Sequence, residues 1–190
     1  MELIVQKKIE QFFRNLNVES SVITESLSQF NLLKIKAKTI LLHQGAKQHS
    51  CFFIVSGILR AVHCSDVGSE FCKEYYFKGE LSFLYSSWLK SSHSTYQIDA
   101  LHDSEVICVP LSLFNRREWL PAKLGLLKQQ LLYKEDKEIF LLLKTPEERY
   151  LYLLEYWPNW IHNLNNMQLA SYIGISPISL SRIKSRIKSK

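Results

Sequence analysis

An α+β protein is what the sequence predicts: an N-terminal β-roll or jelly roll with flanking helices, then a long helix, then a small helical unit. Three observations carry this. Between residues 38 and 110, short runs rich in β-branched and aromatic residues alternate with glycine-containing turns. Beyond Pro110 the apolar spacing becomes helical and stays so. Near the end, Gly174-Ile175-Ser176 separates two short helical patterns. The implied division is 1–112, 113–144 and 145–190.

Residues 2–16 place Leu3, Ile9, Phe12, Phe13 and Leu16 at near-helical spacing. A second short helix over Val22–Phe30 turns Val22, Ile23, Leu27 and Phe30 inward. From Ile35 the period changes, and KTILLHQGA, CFFIVSG, ILRAVHCSDVG, EFCKEYYFKGE, STYQIDA and SEVICVP read as strands. The segment YSSWLKSSHS, with Trp88, interrupts them and reads as an irregular, ligand-facing insertion. Ser112 is positioned to cap a first helical turn, and Pro121 to break the chain before a long helix at about 122–143. That helix has Leu124, Leu127 and Leu131 in one stripe and Leu132, Ile139 and Leu143 in another, around the charged block Lys134–Glu138. More apolar surface than one face needs fits pairing with a twin helix in a homodimer. Thr145-Pro146-Glu147-Glu148 restarts a helix with a capping box, Tyr150, Leu153, Leu154 and Trp157 supply core, and Pro158 stops it.

The last stretch, Met167–Lys188, holds two helical patterns around Gly174, with Ser176 as N-cap and Pro177 as first helical residue. Leu169, Ala170, Ile173, Ile175, Leu180 and Ile183 form the expected seam, which is the layout of a helix-turn-helix. The outer face of its second helix carries Ile178, Ser179, Ser181, Arg182, Ser185 and Arg186. Charge is lopsided in the same direction. No acidic residue follows Glu155, while Arg182, Lys184, Arg186, Lys188 and Lys190 account for +5 of the net +6. Such a surface suits a polyanion, and double-stranded DNA is the partner it implies.

Composition sets outer limits. A chain of 190 residues with 46% hydrophobic content can bury a real core. The charged start MELIVQKKIEQFF reads as no secretory signal, and no apolar run approaches the ~20 residues of a membrane span. Cys51, Cys64, Cys72 and Cys108 lack C-x-x-C spacing and read as reduced, mostly buried thiols of a cytoplasmic protein.

With both halves in view, the chain resembles the Crp/Fnr family of bacterial transcription regulators. The resemblance rests on QGA at 44–46, FFIVSGILR at 52–60, FKGEL at 77–81, SEVICVP at 104–110, TPEERYLYLLE at 145–155 and LASYIGISPISLSRIKS at 169–185. It implies a cyclic-nucleotide-binding-type roll, a dimer helix and DNA binding through Ser176, Pro177, Ile178, Ser179, Ser181, Arg182, Ser185, Arg186 and Lys188. RNA polymerase and an unidentified small-molecule effector are the further partners it admits; no membrane and no enzymatic activity are implied. In the roll it implies a ligand site at Gly79, Glu80, Leu81, Ser94 and Thr95. The family's cyclic-AMP-binding members place an Arg-Ser pair where this chain has Ser94-Thr95, so the phosphate loses its bidentate partner. His93 and Lys90 are weak substitutes, and the roll is expected not to respond to cyclic AMP.

Other family chemistries fit less well. No cysteine precedes Cys51, as an N-terminal iron–sulfur cluster would require, and His63, His93 and His102 read as ordinary strand or loop histidines rather than haem ligands. His43, His49 and Cys51 complete no tetrahedral metal set, so no cofactor is assigned. Ile178 stands where family members often have an acidic residue, which favours a thymine methyl over cytosine readout. The segment 158–166 is too short for a large wing, and the end at Lys190 leaves no later strands, so phosphate affinity leans on Arg186, Lys188 and Lys190. Two alternatives remain: a nucleotide- or small-molecule-binding interaction module without DNA binding, and a cupin-like metal enzyme. The latter is disfavoured because no H-x-H pair occurs.

Overall fold

A computed structural model describes residues 3–188. Expectations for Lys190 therefore lie outside the described residues. Two compact units divide within a single helix, one ending at Lys128 and the next beginning at Gln129.

The first unit opens with α1 (Leu3–Asn15) and α2 (Ser20–Ser26), the latter running into a 3-10 turn at Leu27–Gln29. Ile9, Phe13 and Ile23 are fully buried, whereas Leu3, expected inward, is exposed because the helix begins with it. Eight strands follow: β1 (Asn31–Ile35), β2 (Ile40–Leu42), β3 (Ser50–Ser56), β4 (Leu59–Cys64), β5 (Glu70–Tyr76), β6 (Leu81–Ser82), β7 (Gln97–Ala100) and β8 (Ser104–Pro110). They form two four-stranded antiparallel sheets, ordered β1-β8-β3-β6 and β2-β7-β4-β5. The expected strand runs are present, and β1 and the two-residue β6 are additions to them.

Alternation along the strands sorts side chains into two cores. Leu42, Phe52, Ile54, Leu59, Ala61, Tyr76, Ile98, Ala100 and Val106 pack between the sheets. Cys51, Phe53, Val55, Ile107 and Val109 face outward from the first sheet, where α1, α2 and Trp119 cover them. Phe13 sits edge-on to Trp119 at 4.9 Å and near Phe114 at 6.3 Å, a favourable arrangement for aromatic quadrupoles. Gly57 has φ +87°, and a Cβ there would fall 2.1 Å from Ser104 Oγ, so the β3–β4 turn requires glycine.

Two local expectations change. YSSWLKSSHS is no irregular loop: Tyr85–Lys90 form a short helix, α3, because Trp88 is anchored against Phe83 at 5.4 Å and Phe114 at 5.6 Å. After Pro110 comes a 3-10 turn, Leu111–Asn115, whose N-terminal residue is Pro110 itself with no side-chain cap, so Ser112 is not the cap. Cys51 is buried, but Cys64, Cys72 and Cys108 are only half-buried, and none of the four is in a disulfide.

α4 (Leu120–Leu143) is the long helix, with Pro121 inside its first turn, where no intrahelical N–H is lost. Leu124, Leu131, Leu132, Ile139, Leu142 and Leu143 are all exposed along it. α5 (Pro146–Tyr156) begins with the expected box: Thr145 Oγ1 accepts from Glu148 N, and the Glu148 carboxylate accepts from Thr145 N at 2.7 Å. Pro158 does end that helix, yet it also opens α6 (Pro158–Asn163). Tyr150 and Leu153 are buried as expected, while Leu154 and Trp157 stay exposed; the unit's core uses Trp160, Tyr172 and Phe140 instead.

Candidate nucleic-acid interface and sensor roll

α7 (Asn166–Ile173) and α8 (Pro177–Lys188) form the two arms of the helix-turn-helix. Asn165 caps α7, accepting from Gln168 N at 3.0 Å while Gln168 Oε1 accepts from Asn165 N at 2.8 Å. Gly174 ends the helix in the left-handed conformation, φ +81°, and its N–H returns to Ala170 O at 2.9 Å. Ser176 Oγ accepts from Ser179 N at 3.1 Å, so α8 starts where the Ser-Pro step implied. Leu169, Ala170, Ile173, Leu180 and Ile183 are buried in the seam; Ile175 is only half-buried.

That seam leaves Ser176, Pro177, Ile178, Ser179, Ser181, Arg182, Ser185, Arg186 and Lys188 on the exposed side of α8. Arg186 is not wholly uncommitted, since its Nη2 lies 3.3 Å from Glu147 Oε2. Lys184 points the other way, donating to Asn166 Oδ1 and lying over the Tyr150 ring at 5.4 Å. Burial, and then Lys188, lower its pKa.

Arg149 is a residue that sequence reasoning passed over. Its Nη1 donates to Ile173 O (2.7 Å), Nη2 to Leu141 O (2.6 Å) and Nε to Lys144 O (3.0 Å). One guanidinium thus satisfies carbonyls at the C-terminal ends of both α4 and α7, which helices otherwise leave orphaned. Only its position directly after an N-terminal capping box could have flagged it.

In the roll, Gly79 takes φ +88° and its N–H donates to Ile54 O at 2.8 Å, fixing the Gly79-Glu80-Leu81 turn against β3. Glu80 Oε2 accepts from Phe77 N at 2.8 Å. Burial raises the Glu80 pKa to about 7, the Phe77 N–H opposes this, and Glu74 adds to it. Glu74 pairs in register with Ala61, whose side chain lies between the sheets, so Glu74 too faces inward and is buried. Leu81 is buried. Ser94 is buried and donates to His43 O at 2.9 Å; Thr95 is exposed, and its carbonyl meets His63 Nδ1 at 2.9 Å. No hydrogen bond among the described residues joins Glu80 to Ser94 or Thr95.

Arg60 is the only arginine on the strands, and it is spoken for. Its Nε lies 2.8 Å from Asp99 Oδ1 and its Nη1 2.6 Å from Glu70 Oε2. Burial works against its charge, but these two carboxylates outweigh it and hold it protonated. The inner wall near Glu80 therefore carries two carboxylates, Glu74 and Glu80. No group of three or more His, Cys, Asp or Glu among the described residues could hold a metal ion. No helix among them is long and apolar enough to cross a membrane.

Residues 32–117 match the family model of the cyclic nucleotide-binding domain. Among solved structures, FixK2 from Bradyrhizobium japonicum is similar at a TM-score of 0.65 and 17% identity, covering 84% of this chain and 85% of that one. The c-di-GMP responsive global regulator CLP of Xanthomonas campestris is similar at 0.65 and 16% identity, covering 90% and 92%. The catabolite activator protein of Thermus thermophilus gives 0.51 and 21%, covering 90% and 84%. No curated relative matches the chain in sequence. Residues 32–117 thus match the cyclic nucleotide-binding domain, and the α+β fold of roll, long helix and C-terminal helices is shared with these solved structures.

Proposed function

We propose that this chain is a DNA-binding transcription regulator of the Crp/Fnr type, a homodimer on a pseudo-palindromic operator. The observation that carries the reading is the exposed face of α8: a serine, isoleucine and arginine surface backed by a buried seam, in a region without acidic residues after Glu155. A helix held this way enters the major groove with its N-terminal half toward base edges. Ile178 suits a thymine methyl, and Arg182, one turn on, suits the O6 and N7 of guanine. Lys188, near the helix end, suits phosphates and carries no sequence information. The exposed leucines of α4 supply the twin-helix contact that a two-fold site requires. Small-molecule effector and RNA polymerase remain the further partners of such a regulator, and the site chemistry assigns neither.

The roll, on this reading, does not answer to cyclic AMP. Ser94-Thr95 stands in place of an Arg-Ser pair, and Asp99 and Glu70 already hold Arg60, so a cyclic phosphate finds no guanidinium partner here.

Selection of bound duplexes from a random pool, followed by titration at several salt concentrations, tests the reading. Arg182→Ala should lose about 1–3 kcal/mol on the selected site and much less on scrambled DNA. Lys188→Ala should weaken both about equally and lower the salt slope by roughly one. Equal losses on both DNAs for Arg182→Ala demote it to a phosphate contact; failure to select any duplex favours the interaction-module alternative.

A further inference from the structure

The YSSWLKSSHS segment, read from sequence as ligand-facing, walls a cleft after all, but on the outside of the roll. The cleft is about 550 Å³, within the ordinary range for a small-molecule site. Its walls are α3 with the turn after it, the approach to β3 around Lys47 and Gln48, and the 3-10 turn after β8. Glu80, Ser94 and Thr95 are not part of it.

The chemistry of the walls is uneven. Five serines line the cleft, with Gln48 and Asn115 as amides, Lys47 as a cation, His49 as an imidazole and Trp88 as an apolar wall; no lining residue is acidic. Hydroxyls and amides that both donate and accept match a polyol, while an ammonium without a neighbouring carboxylate in the lining matches an anion. Gln48 adds a separate observation. Its Oε1 accepts from Leu84 N at 2.8 Å, which fixes the amide, yet its Nε2 is buried and has no hydrogen-bond partner among the described residues. That nitrogen has no accessible surface, so Gln48 serves the cleft as a wall fixed by Leu84 and not as a donor to its occupant.

We propose that this outer cleft binds a monosaccharide phosphate, with Lys47 on the phosphate, the serine hydroxyls and Asn115 on the sugar oxygens, and Trp88 against the ring. The site is independent of the DNA-binding reading and of the turn at Glu80.

Calorimetry on the full chain tests it, with glucose 6-phosphate, fructose 1,6-bisphosphate, N-acetylglucosamine 6-phosphate, glucose and inorganic phosphate as probes. At least one sugar phosphate should saturate with a sub-millimolar Kd, at least tenfold tighter than glucose or inorganic phosphate. Lys47→Ala and Ser92→Ala should each weaken it, the former at least tenfold, while Val67→Ala, at an exposed position outside the cleft, leaves it unchanged. All three exposed positions keep the fold, which an unchanged melting temperature verifies. No saturation by any of the three sugar phosphates overturns the proposal. So does inorganic phosphate binding as tightly as they do, or an unchanged Kd in Lys47→Ala.

Discussion

The two units of this chain treat their polar and apolar groups in opposite ways. The roll turns inward. Phe13, Phe114 and Trp119 are fully buried, its strand arginine is held by two carboxylates, and Ser94 and Glu80 bond to backbone close by. The C-terminal unit turns outward. It leaves Leu131, Leu132, Ile139, Leu142 and Leu143 exposed on α4 and Ile178 and Arg182 exposed on α8. A region that buries its large aromatic side chains is built for stability, whereas one that leaves large apolar side chains uncovered is built to meet something. The roll's inner side therefore reads as self-contained, and the helical unit as the part that needs partners.

The largest expected effect bears on the self-contained side. Phe13→Ala should cost the first unit about 3–5 kcal/mol, because the ring is fully buried among Phe12, Phe30, Phe114 and Trp119. Urea unfolding would read it; a loss under 1 kcal/mol would mean the aromatic cluster is not what holds the roll. Next, Leu124→Asp with Leu131→Asp should convert the proposed dimer into a monomer on a sizing column. The melting of the roll should be unchanged, since both side chains are exposed within one copy. A wild-type elution volume would place the self-contact elsewhere.

Glu80 sharpens the contrast further, because it is a buried-side group kept at a cost. Its folded pKa is raised from 4.5 to about 7, so between those values the folded state holds a proton that the unfolded state has released. Stability from this group therefore falls as pH rises from about 4.5 through 7, by up to about 3 kcal/mol before allowance for partial exposure. Glu80→Gln keeps an oxygen for the Phe77 N–H and should flatten that decline, leaving the variant more stable at pH 8. An unchanged pH profile would show the carboxyl to be solvated. The smallest effect is an expected absence of signal: cyclic AMP should give no saturable heat below about 1 mM, roughly 4 kcal/mol of binding. A micromolar constant would overturn the reading of the roll's inner wall.

What the sequence made legible was mostly local. The Thr145 box, the Gly174 turn and the Ser176-Pro177 start depend on residues within four positions of each other, and each stands where the pattern put it. Misreadings came where tertiary contacts decide. Asn31–Ile35 pairs with β8 as a half-buried edge strand, too short and mixed to declare a period. Serines disguised α3 as a loop, since the ring packing that fixes Trp88 comes from Phe83 and Phe114. Pro158 was legible as a stop but not as a start, although proline serves both roles at a first helical turn. Of the candidate site, the outer face of α8 followed from periodicity alone. The saturation of Arg60, the inward turn of Glu74 and the reach of Arg149 join residues far apart in the chain, which spacing cannot reveal.

Arg149 has a mechanical meaning. With one planar group gripping Leu141, Lys144 and Ile173 carbonyls at 2.6–3.0 Å, the last turn of α4 and the elbow of the helix-turn-helix cannot shear past each other. The end of α4 and the end of α7 are thus riveted through one side chain at three points.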